Sequence, residues 1–147
     1  MYDIENYYNA STIEEAVRLL KEHPDTRVIS GGSDVLIKIR EGKMAGTSLV
    51  SIRDIKELNG ITKKENGDIY IGAGTTFSHI TNDPVIQENI PVLGEAVDQV
   101  GGPQIRNIGT IGGNICNGAV SADSAPTVFS LNALLRIEDG DNRSEEH

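Results

Sequence analysis

Val28-Ile-Ser-Gly-Gly-Ser-Asp-Val35 and Gly109-Thr-Ile-Gly-Gly-Asn-Ile115 are the two stretches on which the reading of this chain turns. The first follows an apolar run and leads into a helix start, and its paired glycines let backbone N–H groups approach a phosphate that side chains would otherwise exclude. A single glycine-rich turn is weak evidence. Two of the same build, the second followed by Ser121-Ala-Asp123, predict two loops converging on one extended anionic ligand.

Outward from the first stretch the pattern is strand, anion loop, helix. Ser11-Thr-Ile-Glu14 has the form of a capping box, and Ile13, Ala16, Val17 and Leu20 recur at helical spacing, which predicts an amphipathic helix over 12–22 stopped by Pro24. Thr26 to Ile29 reads as a short buried strand. Ser33 or Asp34 can then cap a helix through Leu36, Ile37 and Arg40. Ser48-Leu-Val-Ser-Ile52 is expected to be a parallel neighbour strand, so that the helix is the crossover of a β-α-β unit.

From Gly60 the pattern changes. Ile61-Thr-Lys-Lys64 and Asp68-Ile-Tyr-Ile-Gly72 flank Asn66-Gly67, a strong two-residue hairpin signal, and a second unit is expected to begin here. Thr75 or Thr76 can cap a helix towards Ile80, and Pro91 opens another in which Val92, Leu93, Ala96, Val97 and Val100 share a face. Residues 103–125 carry many turn formers and few periodic apolar positions, the composition of a long ordered loop, before core-like spacing returns from Val128 to Ile137. The polar end, Glu138 to His147, is expected to fray or to turn without leading to a further element.

At 147 residues the chain fits one domain with a real core, which its length makes the default expectation, and a two-lobed arrangement of smaller units is the alternative. Its net charge of −9 opposes attraction to nucleic acid and to anionic lipid, so neither is expected as a partner. No stretch approaches the roughly 18 apolar residues of a membrane span. The start lacks the basic flank and apolar core of a secretory signal, which points to the cytoplasm. Cys116, the sole cysteine, excludes an internal disulfide and any cluster held by four thiolates of this chain.

Each motif also has a plainer reading. Gly31-Gly-Ser-Asp34 lacks the Gly-Lys-Ser/Thr step of a P-loop, and Leu36 stands where a dinucleotide fingerprint needs its third glycine; Gly72-Ala-Gly-Thr-Thr-Phe77 fails likewise at Phe77. Asn114 and Asp123 suit a ligand, since Asn donates and accepts while Asp accepts from a ribose hydroxyl. Both equally suit Asx-type bracing of their own loop. Arg106 reads either as a phosphate partner or as a loop brace, and His79, with no second ligand at metal spacing, reads as structural or surface. The sequence offers no catalytic constellation and no metal site.

The string Val100-Gly-Gly-Pro-Gln-Ile-Arg-Asn-Ile-Gly-Thr-Ile-Gly-Gly-Asn-Ile-Cys-Asn-Gly-Ala-Val-Ser-Ala-Asp123 closely resembles the FAD subunit of molybdenum hydroxylases, above all of the xanthine dehydrogenase branch. The likeness runs from Met1-Tyr-Asp-Ile4 through Ile29-Ser-Gly-Gly-Ser-Asp-Val-Leu36 and Ile71-Gly-Ala-Gly-Thr-Thr-Phe77 to Leu135-Arg-Ile137. It implies an α+β, two-lobed PCMH-type FAD-binding fold: a small β-α-β lobe over 1–58 and a second, incomplete α+β lobe over 59–147. It implies FAD as cofactor, held by Arg27, Val28, Ile29, Ser30, Gly31, Gly32, Ser33 and Asp34 around the pyrophosphate. From the other lobe Thr110, Ile111, Gly112, Gly113 and Asn114 meet the ribityl and pyrophosphate region, and Asp123 adds a contact. Val100 stands where some relatives place an aromatic ring near the adenine.

The resemblance further implies one part of a complex with an iron–sulfur subunit and a molybdenum-cofactor subunit, passing electrons through FAD to NAD and needing no proton-transfer dyad here. Roughly the N-terminal half of the family's subunit is present, so the chain alone is expected to be inactive and to hold FAD weakly. Two other readings remain: a non-catalytic assembly unit that docks to the other subunits without flavin, and a simple mononucleotide-binding domain.

Overall fold

Thr12 decides where the first helix starts. In the computed structural model, which describes residues 4–30, 47–116, 131, 133–138 and 143–146, strand β1 (Ile4–Asn9) is followed by helix α1 (Ile13–Glu22), and the Thr12 side chain accepts from the Glu15 N–H at 3.1 Å. The cap thus sits one residue later than a box beginning at Ser11 would place it. Both Ser11-x-x-Glu14 and Thr12-x-x-Glu15 fit the motif, and the helix takes the register that buries Ala16 and Leu19. His23 closes the helix by donating to the Leu19 carbonyl at 2.9 Å, just before Pro24.

Strands β2 (Thr26–Ile29) and β3 (Thr47–Ser51) pair in parallel, and β1 pairs in parallel with the other edge of β3, giving the order β1-β3-β2. In the central strand Leu49 and Val50 are 1% and 0% exposed although neighbours in a strand face opposite ways, so both faces of this sheet are covered there. On one face α1 packs with Ala10, Ala16, Leu19, Val50 and Ile55 into a first core. The helix expected after Ser33 or Asp34 lies outside the described residues.

A 3-10 turn (Lys56–Leu58) leads to the hairpin of β4 (Ile61–Lys63) and β5 (Ile69–Ile71). Its connection is one residue longer than the two-residue form expected. The Gly67 N–H donates to Lys64 at 3.0 Å, Gly67 takes φ +94°, and the Lys64 N–H donates to Asp68 at 2.7 Å. Glycine thus serves as the positive-φ bulge after a four-residue turn.

Short helices follow: α2 (Phe77–Asn82), capped by Thr76, α3 (Pro84–Asn89), capped by Asp83, and α4 (Pro91–Val97). Phe77, Ile80, Ile86, Leu93, Val97 and Ile111 form a second core, with Ile61, Ile71, Ile90 and Val100 packed against it. Val92 departs from the expected shared face and is 50% exposed, because α4 buries Leu93, Gly94 and Val97 instead.

The stretch read as a long loop from 103 is helical in its described part, as α5 (Pro103–Ile108) and α6 (Ile111–Cys116). None of the residues of α5 is buried, so no apolar period marks it in the sequence. The C-terminal end also differs from expectation: β7 (Arg143–Glu146) pairs antiparallel with β6 (Leu135–Glu138). Backbone pairing needs no apolar alternation, and among the described residues of the stretch expected to be core-like Leu134 and Ile137 are each 53% exposed. The Arg136 guanidinium lies over the Tyr70 ring at 5.4 Å, linking this hairpin to β5, and the Lys64 ammonium, from the β4–β5 hairpin itself, lies over the same ring at 4.8 Å. Among the described residues no helix is long and apolar enough to cross a membrane.

Truncating Ile80, fully buried in the second core, to alanine is expected to lower stability by about 2–5 kcal/mol, read from urea unfolding. A change below about 1 kcal/mol would mean that the second core does not depend on α2.

Candidate functional site

The first glycine stretch leaves the carboxyl end of a parallel strand, the place where open α/β sheets bind ligands. β2 is an edge strand whose Arg27 and Val28 are exposed and whose Ile29 is buried, its carbonyl accepting from the Ile52 N–H at 3.0 Å. Ser30 follows at the strand's exit. On the same edge of the sheet β1 ends at Asn9, which donates to Asp54 at 2.8 Å, and β3 ends at buried Ser51, which accepts from the Arg53 N–H at 3.3 Å. Gly31, Gly32, Ser33 and Asp34 lie outside the described residues.

The second stretch is docked on the chain between β5 and α2. Phe77 donates its N–H to the Gly109 carbonyl at 3.1 Å, Ile111 donates to Thr75 at 3.1 Å, and Gly112 donates to Ala73 at 2.9 Å. An antiparallel bridge joins Thr76 to Thr110. Such proximity requires glycine: a Cβ on Gly112 would stand 2.7 Å from both the Cβ and the carbonyl oxygen of Ala73, and one on Gly109 would stand 3.0 Å from the Phe77 ring. The Thr110 hydroxyl accepts from the Gly113 N–H at 3.1 Å, in the manner of a helix cap. The N–H groups of Ile111, Gly112 and Gly113 are therefore all committed to protein acceptors. Asn114 continues α6, and Asp123 lies outside the described residues.

The segment Gly72–Thr75 is fixed in turn to the crossing between the two cores. Gly74 donates to the Leu58 carbonyl at 2.7 Å and Gly72 to the Gly60 carbonyl at 2.9 Å. Gly72 has no room for a side chain, its Cβ position lying 2.3 Å from the Leu58 carbonyl carbon and oxygen. Among the described residues no hydrogen bond or ion pair joins Arg27–Ser30 directly to Thr110–Gly113. Among the described residues, the hydrogen bonds that connect their two surroundings run through the Leu58–Gly60 crossing.

Arg106 takes the bracing role of its two readings. Its guanidinium donates to the Gly101 carbonyl at 2.7 Å and the Val100 carbonyl at 3.3 Å, with Asp98 3.7 Å from Nε. His79 pairs with Asp83 at 3.1 Å on the surface of α2, and no cluster of metal-ligating side chains occurs among the described residues. Val100 packs against the second core. Thr75, which the sequence marked only as one of two possible helix caps, is a buried link: Thr76 performs the capping, and the Thr75 hydroxyl bonds to Gly60.

A family model described as the FAD binding domain in molybdopterin dehydrogenase matches residues 2–147. The xanthine dehydrogenase FAD-binding subunit of Escherichia coli O157:H7 is 42% identical over 137 residues, covering 93% of this chain and 47% of the relative. The nicotinate dehydrogenase FAD-subunit of Eubacterium barkeri is 39% identical over 140 residues, covering 94% and 47%. In three dimensions, a carbon monoxide dehydrogenase from Hydrogenophaga pseudoflava superposes with a TM-score of 0.94 at 29% identity, over 99% of this chain and 51% of that one. The chain thus spans about half the length of these relatives, and its fold is the α+β flavin-domain fold that the motifs implied.

Two glycine substitutions should separate close packing from simple turn chemistry. Gly112→Ala, which must push α6 off Ala73, is expected to lower stability by about 1–3 kcal/mol, whereas Gly102→Ala, with open space around it and an extended backbone, should cost less than about 1 kcal/mol. Equal melting temperatures for the two variants would contradict the docked arrangement.

Proposed function

This chain belongs to the family of FAD-binding domains of molybdopterin dehydrogenases, and on that premise we propose that it is the FAD-binding portion of a xanthine dehydrogenase-like molybdenum hydroxylase. The observation that carries the reading is the family match over residues 2–147, which takes in both glycine stretches. The 42% identity to a xanthine dehydrogenase FAD-binding subunit supports that branch, with a nicotinate dehydrogenase FAD-subunit close behind at 39%.

Its cofactor is FAD. The donor chemistry of the described residues fits a diphosphate: Arg27, Ser30 and Thr110 each offer a donor, and no carboxylate stands among the described members of the two stretches, although the chain carries a net charge of −9. We assign Arg27 to Asp34 to the pyrophosphate, with Thr110 to Asn114 and Asp123 completing the site from the second lobe. The lobes we propose are 1–58 and 59–147; the first core draws on residues from Tyr8 to Leu58 and the second on residues from Ile61 to Ile111, which supports a division at the crossing.

Bound FAD supplies a carrier that accepts electrons and hands on a hydride. The chain's own residues bind and orient, and we assign no proton-transfer group to them. In the complex we infer, the neighbours are an iron–sulfur subunit and a molybdenum-cofactor subunit, with NAD as the final acceptor. That inference agrees with a chain whose one cysteine cannot ligate a cluster alone.

Titrating the purified chain with FAD while following flavin fluorescence, with FMN and ADP as controls, tests this reading. Saturable quenching with FAD in preference to FMN is the expected result. ADP binding as tight as FAD would instead indicate a mononucleotide site. No binding at high micromolar FAD would overturn the flavin assignment for this chain and favour a docking role beside the other subunits.

A further inference from the structure

We propose that Thr75 is a positioning residue for FAD binding, holding the second glycine stretch in place relative to the first lobe; the inference rests on the flavin reading above. Thr75 is 1% exposed, and its hydroxyl both accepts from the Gly60 N–H at 2.9 Å and donates to the Gly60 carbonyl at 3.2 Å. Its own carbonyl accepts from Ile111 at 3.1 Å. One residue therefore grips the crossing through its side chain and the start of α6 through its backbone.

Gly60 is a meaningful point to grip. It has φ +111°, which a side chain would strain, and it stands directly between Leu58, packed on the first core, and Ile61, packed on the second. The neighbouring contacts run the same way, since Gly72 and Gly74 bond to Gly60 and Leu58. Thr75 is the one member of this segment whose side chain takes part in the grip. A ligand spanning both stretches needs them placed to within about 0.5 Å, so a loosened crossing costs affinity without any change in the groups that face the ligand.

The test compares wild type, Thr75→Val and Thr75→Ser in the same FAD titration, together with amide hydrogen exchange of the ligand-free chains. Valine keeps the shape and removes both hydroxyl bonds; serine keeps them. The expected result is FAD binding weakened about tenfold in Thr75→Val and within about twofold of wild type in Thr75→Ser, with Ile111 and Gly112 amides exchanging faster only in the valine variant. Unchanged FAD affinity and unchanged Ile111 exchange in a folded Thr75→Val would overturn the proposal.

Two further outcomes remain decisive. If wild type itself binds no FAD, the flavin reading fails, while Ile111 exchange in Thr75→Val still decides whether Thr75 places the stretch. Should Thr75→Val fail to fold, wild-type exchange decides instead: Ile111 and Gly112 opening only with global unfolding supports the grip, and their opening well below it overturns it.

Discussion

The contact of Gly112 with Ala73 is the constraint from which most of the second unit follows. Helix α6 can begin where it does because a residue without a side chain lets its first turn lie against the backbone of the Gly72–Thr75 turn, N–H to carbonyl at 2.9 Å. Once that register is set, Ile111 donates to Thr75, Gly109 accepts from Phe77, and Ile111 drops into the second core beside Phe77 and Ile80. Each bond satisfies a backbone group that would otherwise be left unpaired away from water, at about 1–3 kcal/mol apiece. Packing and hydrogen bonding therefore select the same arrangement.

The same logic governs how the two cores are joined. Between Leu58 and Ile61 the chain passes from one apolar cluster to the other, and what stiffens this passage is largely a set of backbone bonds from Gly72 and Gly74 plus the Thr75 hydroxyl. Polar bonds of this kind are directional, whereas apolar contact tolerates sliding. A crossing built from them fixes orientation. On the proposed function that is the property required, because the two glycine stretches belong to different sides of the crossing.

Much of this architecture was legible in the sequence, and the reasons differ by element. The α1 period, the strand at Thr26–Ile29 and the Asn66-Gly67 hairpin are local signals with local causes, so they appear within a residue of their expected places. Helix α3 has no counterpart among the expected elements, although Asp83 caps it and Pro84 stands in its first turn, a start signal within only six residues of helix. Helix α5 buries nothing and so has no period to read. The family motif located the second glycine stretch, but not what its glycines do: phosphate approach and backbone approach both call for a missing side chain, and only the structure shows Ala73 and Phe77 occupying the space.

That ambiguity bears on how an acidic chain can hold an anionic dinucleotide. With Ile111, Gly112 and Gly113 N–H groups bonded to Thr75, Ala73 and Thr110, the start of α6 has few free donors to offer a phosphate. On the proposed reading the diphosphate charge is met chiefly by the stretch leaving β2, where the exposed Arg27 supplies positive charge and Ser30 a hydroxyl donor. The second stretch then acts less as a donor array than as a shelf of fixed height. Its glycines are spent on rigid docking against Ala73 and Phe77, and rigidity is what limits the ordering cost when a long, flexible ligand is bound across two lobes.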